Sequence, residues 1–245
     1  MNSQFINSSL ENYPKKSGLS LIFPAYNEEL NIQQVVKSAL MVAPKVAEKY
    51  EIVVVNDGSR DKTGEVIAKL AELYPSVVAI HHPANKGYGS ALKSGIKKAQ
   101  YAFIFFCDSD CQFDLFELPR LLNWIDQYDM VIGYRQSRKD PLHRLINAWG
   151  WNMLVRLLLG LKVRDIDCAF KLFRREIFDR IEINSVGAMV NTEILSRAVK
   201  LGFTIKEVPV THYPRFRGRA TGARVRVIFK AFRELLRLYN ELRLY

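Results

Sequence analysis

The stretch AFIFFCDSDCQ, residues 102–112, decides how this chain folds. Its first five residues are apolar, which is typical of a strand buried on both faces of a parallel sheet. Two carboxylates, Asp108 and Asp110, follow at once. Carboxylates this close repel each other unless a cation or a ligand lies between them. With Gln112, their oxygen atoms suit a hard divalent ion, Mg²⁺ or Mn²⁺, although Asp-Ser-Asp alone would also fit the cap of a following helix.

Four further runs of β-branched or apolar residues predict strands. They are LSLIF (19–23), EIVVV (51–55), VVAI (77–80) and MVIG (130–133). Between the runs, apolar residues recur at spacings of three and four, as in residues 32–40 and 66–73, which is typical of helices. Another helix is expected to open near Leu115. This alternation predicts an α/β fold with a mostly parallel central sheet flanked by helices.

Polar clusters stand at the ends of four of these strands. In chain order they are PAYNEE, NDGSRD, HHPANKGYG and CDSDCQ. Polar loops and an Asn-Asp-Gly turn would explain each cluster singly, but four in succession favour one site for a nucleotide-type ligand at the carboxyl edge of the sheet. Asp57 stands where α/β folds commonly bond a base or a ribose. The loop NKGYGS (85–90) is not a dinucleotide fingerprint, because Leu92 takes the place of its third glycine, and the sequence has no P-loop motif.

The composition excludes several classes of protein. With 245 residues, 49% hydrophobic and 25% charged, the chain is long and apolar enough for one large domain or two small ones, and disorder is not expected. Three cysteines without a CxxC pair indicate neither a zinc site nor a disulfide framework, and they suit a reduced cytosolic protein. The sequence has no run of 18 uncharged apolar residues and no signal-peptide core, so we expect a cytoplasmic protein that is soluble or peripheral to a membrane.

The net charge of +11 is concentrated in two places. Residues 135–175 carry ten basic and three acidic side chains, and residues 215–245 carry nine and two, so the remainder of the chain is slightly acidic. Such basic stretches suit phosphate groups of a substrate or an anionic lipid. A nucleic-acid partner is not expected, because the acidic strand ends would repel a phosphate backbone and no known nucleic-acid-binding motif occurs.

Several ordered motifs together resemble family 2 glycosyltransferases of the GT-A fold, in particular the polyprenyl-phosphate, or dolichol-phosphate, hexosyltransferases. The resemblance covers roughly residues 18–222. Its motifs are PAYNE (24–28), NDGS (56–59), NKG (85–87), DSDCQ (108–112), IGYR (132–135) and DIDCAFK (165–171). The implied reaction is the transfer of mannose from GDP-mannose or glucose from UDP-glucose to a polyprenyl phosphate.

The resemblance also implies roles for individual residues. It assigns donor binding to Pro24, Tyr26, Glu28, Asp57, Lys86 and Asp108. It assigns the metal to Asp110 and Gln112, and a grip on the acceptor phosphate to Arg135 and Arg144. The segment RFRGRAT (215–221) resembles a loop that closes over the substrates, with Arg215, Arg217, Arg219 and Thr221 as its candidate contacts. Which of its three arginines acts is left open, because the usual serine is displaced and replaced by Thr221. Lys171 stands where relatives often have arginine.

A phosphate monoester acceptor explains why no catalytic base stands out in the sequence. Its second pKa is near ~6, so at neutral pH it is already a dianionic nucleophile. The protein then needs to align donor and acceptor and to neutralise charge on the leaving nucleoside diphosphate, with inversion at the anomeric carbon. The alternative is a family 2 transferase with a hydroxyl acceptor, as in polysaccharide or glycoconjugate synthesis. That reaction would require a carboxylate base, for which Asp167 and Glu193 are the candidates.

Two helical segments suggest contact with a membrane. From residue 223 to 245 apolar residues and arginines lie on separate faces of one predicted helix, which is typical of a helix lying in a bilayer interface. Packing of this helix on the catalytic domain or on a second subunit is the alternative. Residues 142–161 are apolar almost all round and include two tryptophans, so they are either buried or touch lipid. We therefore expect a flexible extension (1–18), a catalytic domain (19–222) and a basic amphipathic helix (223–245). The protein is expected to be peripheral on the cytoplasmic face of a membrane, and whether it forms a homo-oligomer is left open.

Overall fold

The computed structural model describes residues 13–136, 142–215 and 225–243, and within residues 142–149, 152 and 225–231 it describes the backbone only. The strands are β1 (Lys16–Ala25), β2 (Ala47–Asn56), β3 (Val77–His81), β4 (Phe103–Phe106), β5 (Met130–Gln136), β6 (Lys171–Arg174) and β7 (Ile205–Thr211). The helices are α1 (Ile32–Val46), α2 (Thr63–Leu73), α3 (Tyr88–Lys98), α4 (Leu118–Leu122), α5 (Leu142–Leu159), α6 (Glu176–Arg180), α7 (Val190–Lys200) and α8 (Val225–Arg243).

The seven strands form one sheet in the order β3-β2-β1-β4-β6-β5-β7. All neighbouring pairs are parallel except those of β6, which runs antiparallel to both β4 and β5. The mostly parallel α/β sheet predicted from the sequence is confirmed. All five predicted strands form, with β1, β2 and β5 longer than their apolar runs.

The sheet is buried on both faces, which is why its central strands read as unbroken apolar runs. In β1, Leu21 and Phe23 pack into one hydrophobic cluster and Ile22 into the other. β2 alternates in the same way, with Val54 facing the first cluster and Val55 the second. The sheet is therefore a rigid layer whose carboxyl edge holds whatever residues follow each strand.

The short helical segment after β4 settles one alternative left open by the sequence. A 3-10 turn at Leu115–Glu117 leads into α4, close to the predicted helix opening. Its cap is Asp114, whose side chain accepts a hydrogen bond from the Phe116 amide at 3.0 Å. Asp108 and Asp110 are not used as the helix cap.

The predicted ends of the catalytic domain shift slightly. β1 begins at Lys16, so three residues assigned to the N-terminal extension belong to the sheet. The C-terminal helix forms as predicted, and it packs on the catalytic domain through Leu235 and Leu238, which are 0% and 4% exposed. Residues 1–12 of the predicted extension lie outside the described residues, as do 223, 224, 244 and 245 of the predicted helix.

Helix α3 lies against the sheet at a glycine. A Cβ atom at Gly95 would come within 2.3 Å of Ile22 Cγ2 in β1. We predict that Gly95→Ala lowers the free energy of unfolding by about 1–3 kcal/mol through overpacking, measured by urea denaturation. Gly150→Ala in α5 is the matched control, because a Cβ there meets nothing within 4 Å. It should be neutral or stabilise by up to about 1 kcal/mol from helix propensity. Equal effects of the two variants would contradict the packing argument.

Candidate active site

The carboxyl ends of β1, β2 and β4 lie side by side and bring three of the four polar clusters together. In the sheet register Ala25 pairs with Asn56, and Ile22 pairs with Phe106. Beyond the strand ends, the Ser109 hydroxyl donates to the Pro24 carbonyl at 2.7 Å. The fourth cluster follows β3, which pairs with β2. The prediction that these clusters meet at one edge of the sheet is confirmed.

An acidic centre at this edge is bridged by an arginine from far along the chain. One guanidinium nitrogen of Arg215, Nη2, lies 2.9 Å from Asp110 Oδ2 and 3.0 Å from Glu28 Oε1. The other oxygen of Glu28 accepts a hydrogen bond from the Asn31 side chain at 2.7 Å. Asp110 and Glu28 are nearly buried, with exposed fractions of 8% and 9%. The segment predicted to close over the substrates therefore reaches this centre through Arg215.

The electrostatics of the centre favour a positive charge between its carboxylates. Burial raises the pKa of Asp108 to about 6, and the nearby Asp110 carboxylate adds to the rise. Burial also raises the pKa of Glu28, an effect that Asn31 and Arg215 partly offset. These carboxyl groups thus hold their protons more tightly than usual unless a cation compensates them.

The residues at the centre fit a divalent metal ion that is completed by a substrate. The Arg215 guanidinium already occupies a cation position between two carboxylates. The Tyr88 hydroxyl is buried beside Asp108, and the charge of that carboxylate adds to the effect of burial in raising the pKa of Tyr88. Gln112 lies beside Asp110, whose Oδ1 accepts its amide hydrogen at 3.1 Å, and its side-chain Nε2 donates to the Tyr213 carbonyl at 2.9 Å. Within the described ranges no three His, Cys, Asp or Glu side chains form a metal-binding group. Mg²⁺ is usually bound through one or two carboxylates together with substrate phosphates, and the carboxylate of Asp110 is of that kind.

Asp57 holds the loop between β3 and α3. Its carboxylate accepts hydrogen bonds from the amides of Lys86 (2.9 Å) and Gly87 (2.8 Å) and from the Asn85 side chain (3.0 Å). The His82 ring contacts the same carboxylate at 2.7 Å. These four contacts use both oxygens, so a nucleotide bonding Asp57 directly would displace one of them. The side chain of Lys86 is exposed at the tip of this loop.

A basic group lies on the other side of the acidic centre. Arg135 at the end of β5 forms a bidentate ion pair with Asp165, with both N···O distances at 2.7 Å. Lys171 in β6 is fully buried and donates to the carbonyls of Ile166 and Cys168. Burial lowers the pKa of Lys171. Both cations lie close enough to Asp108 to oppose the rise of its pKa.

The two candidate bases for a hydroxyl acceptor differ in their surroundings. Glu193 in α7 is 1% exposed, and its carboxylate accepts hydrogen bonds from the Asn184 and Ser185 amides and from Arg197 Nε at 2.9 Å. A carboxylate so occupied stabilises the loop before α7 and is poorly placed to take a proton from a substrate. Asp167 is exposed.

The remaining predicted site residues fall into two groups. Pro24 lies at the end of β1, and Tyr26 is half-buried just beyond it. Arg144 belongs to α5, but its side chain lies outside the description, and Arg217, Arg219 and Thr221 lie outside the described residues altogether. Sequence reasoning missed the contacts of His82 and Asp165, and it left Lys171 without a structural role. The only signal for His82 was its position directly after a strand end.

Solved structures with the same architecture cover almost the whole chain. A crystal structure of glucosyl-3-phosphoglycerate synthase from Mycobacterium tuberculosis with UDP matches with a TM-score of 0.72 at 18% identity, over 98% of this chain and 85% of that one. Another crystal structure of that enzyme, with Mn²⁺, UDP-glucose and phosphoglyceric acid, also gives 0.72, over 98% and 84%. At this level of identity the likeness establishes the GT-A fold.

Curated relatives are closer in sequence. The chain is 34% identical over 215 residues to a dolichyl-phosphate beta-glucosyltransferase of Trichomonas vaginalis, covering 80% of this chain and 66% of the relative. It is 32% identical over 221 residues to the polyprenol monophosphomannose synthase of Mycolicibacterium smegmatis, covering 84% and 82%. An undecaprenyl-phosphate 4-deoxy-4-formamido-L-arabinose transferase of Pectobacterium atrosepticum is 30% identical over 161 residues, and the match spans about half of its length.

The family profile described as "Glycosyl transferase family 2" matches residues 20–182, which include the acidic centre from Glu28 to Asp110, the Asp57 loop and the Arg135–Asp165 pair. With this match and relatives above 30% identity, the chain belongs to glycosyl transferase family 2.

Proposed function

We propose that this chain transfers a hexose, mannose from GDP-mannose or glucose from UDP-glucose, to a polyprenyl phosphate with inversion at the anomeric carbon. The observation that carries the proposal is the Arg215 guanidinium held between Glu28 and Asp110, with a separate basic group close by. The acidic centre suits a metal-bound diphosphate, and the basic group suits a second phosphate. The names of the relatives support the acceptor, since each contains a lipid phosphate of the polyprenol type.

Mg²⁺ or Mn²⁺ would be held by Asp110 and Gln112, and when bound it would supply positive charge for the leaving nucleoside diphosphate. Arg215 is placed to share that task, because its guanidinium lies against Asp110. The donor contacts that we propose are Pro24, Tyr26, Glu28, Asp57, Lys86 and Asp108. The carboxylates of this set repel phosphates unless a cation is present, so the donor binds together with its metal ion.

The acceptor phosphate would lie near Arg135, with Arg144, Arg217, Arg219 and Thr221 as further proposed contacts. In the structure the guanidinium of Arg135 is held rigid by Asp165. Such preorganisation lowers the entropic cost of aligning an anionic nucleophile with the anomeric carbon. A dianionic phosphate needs no base, which agrees with the occupied carboxylate of Glu193. A hydroxyl acceptor is the second candidate function, with the exposed Asp167 as its candidate base.

Two contacting helices carry apolar side chains that suit a membrane surface. In α5, Met153 and Leu157 are 46% and 79% exposed, and in α8, Phe232 and Leu236 are 43% and 56% exposed. Trp151 joins the two helices by packing on the Phe232 ring. No helix in the described part of the chain is long and apolar enough to cross a bilayer. We propose that this surface lies in the interface of the membrane that holds the lipid acceptor, with Arg233 and Arg237, exposed on α8, near its headgroups.

We propose the cytoplasmic face for this contact. Cys107, Cys111 and Cys168, all within the described residues, form no disulfide, which suits a reducing compartment.

The metal assignment is tested with Asp110→Asn. The protein is incubated with labelled GDP-mannose or UDP-glucose, Mn²⁺ and undecaprenyl or dolichyl phosphate, and the label extracted into organic solvent is counted. We expect Asp110→Asn, or EDTA on the wild type, to lower transfer by about a hundredfold or more, because charge on the leaving group is no longer neutralised. Asp114→Asn is the control and should keep full activity, since asparagine caps helices as well as aspartate does. A fully active Asp110→Asn would reject the metal site, and a wild type that labels no lipid from either donor would reject the function.

A second prediction separates the structural role of Glu193 from a catalytic one. We expect Glu193→Ala to lower the free energy of unfolding by about 3 kcal/mol in chemical denaturation, because it leaves two backbone amides and the Nε of Arg197 without their acceptor. Glu182→Ala, at an exposed position nearby, should change it by less than about 0.5 kcal/mol. A Glu193→Ala variant of wild-type stability that has lost turnover would instead identify Glu193 as the base of a hydroxyl-acceptor reaction.

The membrane surface is tested by flotation with vesicles of phosphatidylcholine and phosphatidylglycerol. We expect Leu157→Asp combined with Leu236→Asp to lower the bound fraction at least about tenfold, because two buried leucines contribute about 3–6 kcal/mol to partitioning. Leu73→Asp is the matched control, since this leucine of α2 is 70% exposed and outside the proposed surface. Equal losses in the control and in the double variant would contradict this location of the membrane contact.

A further inference from the structure

A buried chain of three side chains connects the end of β2 to helix α3. His82 Nδ1 lies 2.7 Å from Asp57 Oδ1, and His82 Nε2 lies 2.9 Å from the Ser94 hydroxyl. The side chains of His82 and Asp57 are only 7% and 3% exposed. Ser94 lies in the middle of α3, which packs against the sheet. The imidazole therefore bridges an element of the sheet and a helix, with both ring nitrogens used.

For a neutral His82 ring, the hydrogen-bond partners determine which nitrogen carries the proton. An ionised Asp57 only accepts hydrogen bonds, so Nδ1 of a neutral His82 must donate to it. Nε2 then accepts a hydrogen bond from the Ser94 hydroxyl, and every polar atom of these three side chains has a partner. Leucine or phenylalanine in place of His82 would lose both bonds. The position therefore requires a side chain that donates at one end and accepts at the other.

The same order of side chains, Ser-His-Asp, occurs in hydrolases, but the surroundings here do not support a nucleophile. A catalytic serine needs amide groups free to stabilise an oxyanion at its side. Ser94 lies four residues before the end of α3, where the backbone amides are engaged in the helix. Its hydroxyl serves the neighbouring imidazole instead.

Asp57 transmits the restraint to the loop before α3. Its two oxygens accept the amides of Lys86 and Gly87, at 2.9 and 2.8 Å. Gly87 has a φ of 99°, and a Cβ atom there would lie 2.4 Å from the Val186 carbonyl oxygen. The backbone conformation of the loop is thus restricted, and the direction of the Asp57 carboxylate determines it. That direction in turn depends on the His82 ring.

We propose that His82 and Ser94 are positioning residues for the nucleotide sugar: they orient Asp57, and through it the loop that carries Lys86. The proposal rests on the donor site described under the proposed function. Neither residue touches the donor. Substitution of His82 or Ser94 should weaken donor binding, because the loop that carries Lys86 then adopts other conformations. Binding of the acceptor, around Arg135, should be unaffected.

The test uses the full chain in four variants. His82→Phe removes both hydrogen bonds at similar size, Ser94→Ala removes only the outer one, and Ser94→Thr keeps the hydroxyl. Leu70→Ala, in α2 and the other hydrophobic cluster, controls for a general loss of stability. Binding of GDP and UDP with Mn²⁺ is measured by calorimetry, loop order by hydrogen exchange of the segment 83–90, and turnover by lipid labelling.

We expect the Kd of the nucleoside diphosphate to rise about tenfold in His82→Phe and about threefold in Ser94→Ala, as for lost buried hydrogen bonds to a charged network. Ser94→Thr should stay within about twofold of the wild type. Hydrogen exchange at 83–90 should accelerate in the first two variants and not in Leu70→Ala. In kinetics the donor KM should rise while kcat and the acceptor KM change by less than about twofold.

Unchanged nucleotide binding and exchange in His82→Phe would overturn the proposal, and so would an equal loss of binding in Leu70→Ala. These readouts do not need turnover. A wild type that binds nucleotide but labels no lipid would therefore reject the proposed function alone. Normal labelling with no rise in the donor KM of His82→Phe would reject the positioning role alone. A wild type that binds neither GDP nor UDP would reject both.

Discussion

Repulsion between carboxylates at the edge of the sheet is the constraint on which this site depends. β1 and β4 are neighbours, so Glu28 and Asp110, which follow them, are forced into one small volume. Their charges can remain only if a cation lies between them, and in the structure that cation is the guanidinium of Arg215. Arg215 is therefore anchored at the site by the same negative charge that suits a metal ion. Phosphates enter such a site only with compensating positive charge.

Two basic side chains from the segment 135–175, Arg135 and Lys171, lie near the acidic centre. Arg135 and Lys171 come from β5 and β6, and β6 pairs with β4. They are therefore held beside the acidic centre by the sheet and are not spread over the surface. Asp165 and the carbonyls of the adjoining loop hold the two cations in fixed directions. Arg135 is thus the cation that could face a second anion beside the acidic centre, while the buried amine of Lys171 holds the adjoining loop.

Much of this architecture follows from the sequence, and the failures have physical reasons. The central strands were predictable because burial on both faces leaves an unbroken apolar run. β6 was missed because it is only four residues long, with a basic residue, Lys171 and Arg174, at each end. β7 was missed because its sequence, IKEVPVT, contains two adjacent charged residues and a proline, which weaken a strand pattern and are tolerated at the edge of the sheet. The motif residues at the strand ends were predictable from the resemblance. The contacts of His82 were not predictable, since its partners Asp57 and Ser94 lie 25 and 12 positions away in the sequence. The pairing of β2 with β3 brings Asp57 close to His82.

The helix proposed to touch the membrane is tied to the donor side of the site by a continuous set of contacts. Glu241 of α8 binds Arg197 at 2.5 Å, and Arg197 binds Glu193 at 2.9 Å. Glu193 holds the amides of the loop before α7, and in that loop the Val186 carbonyl accepts the Gly89 amide at 3.0 Å, at the start of α3. Because these contacts are buried or half-buried, α8 and the donor loop have one relative position. An in-line reaction needs its two substrates held in fixed positions relative to each other. A lipid acceptor presented at α8 therefore meets a donor whose place is set by the same rigid framework.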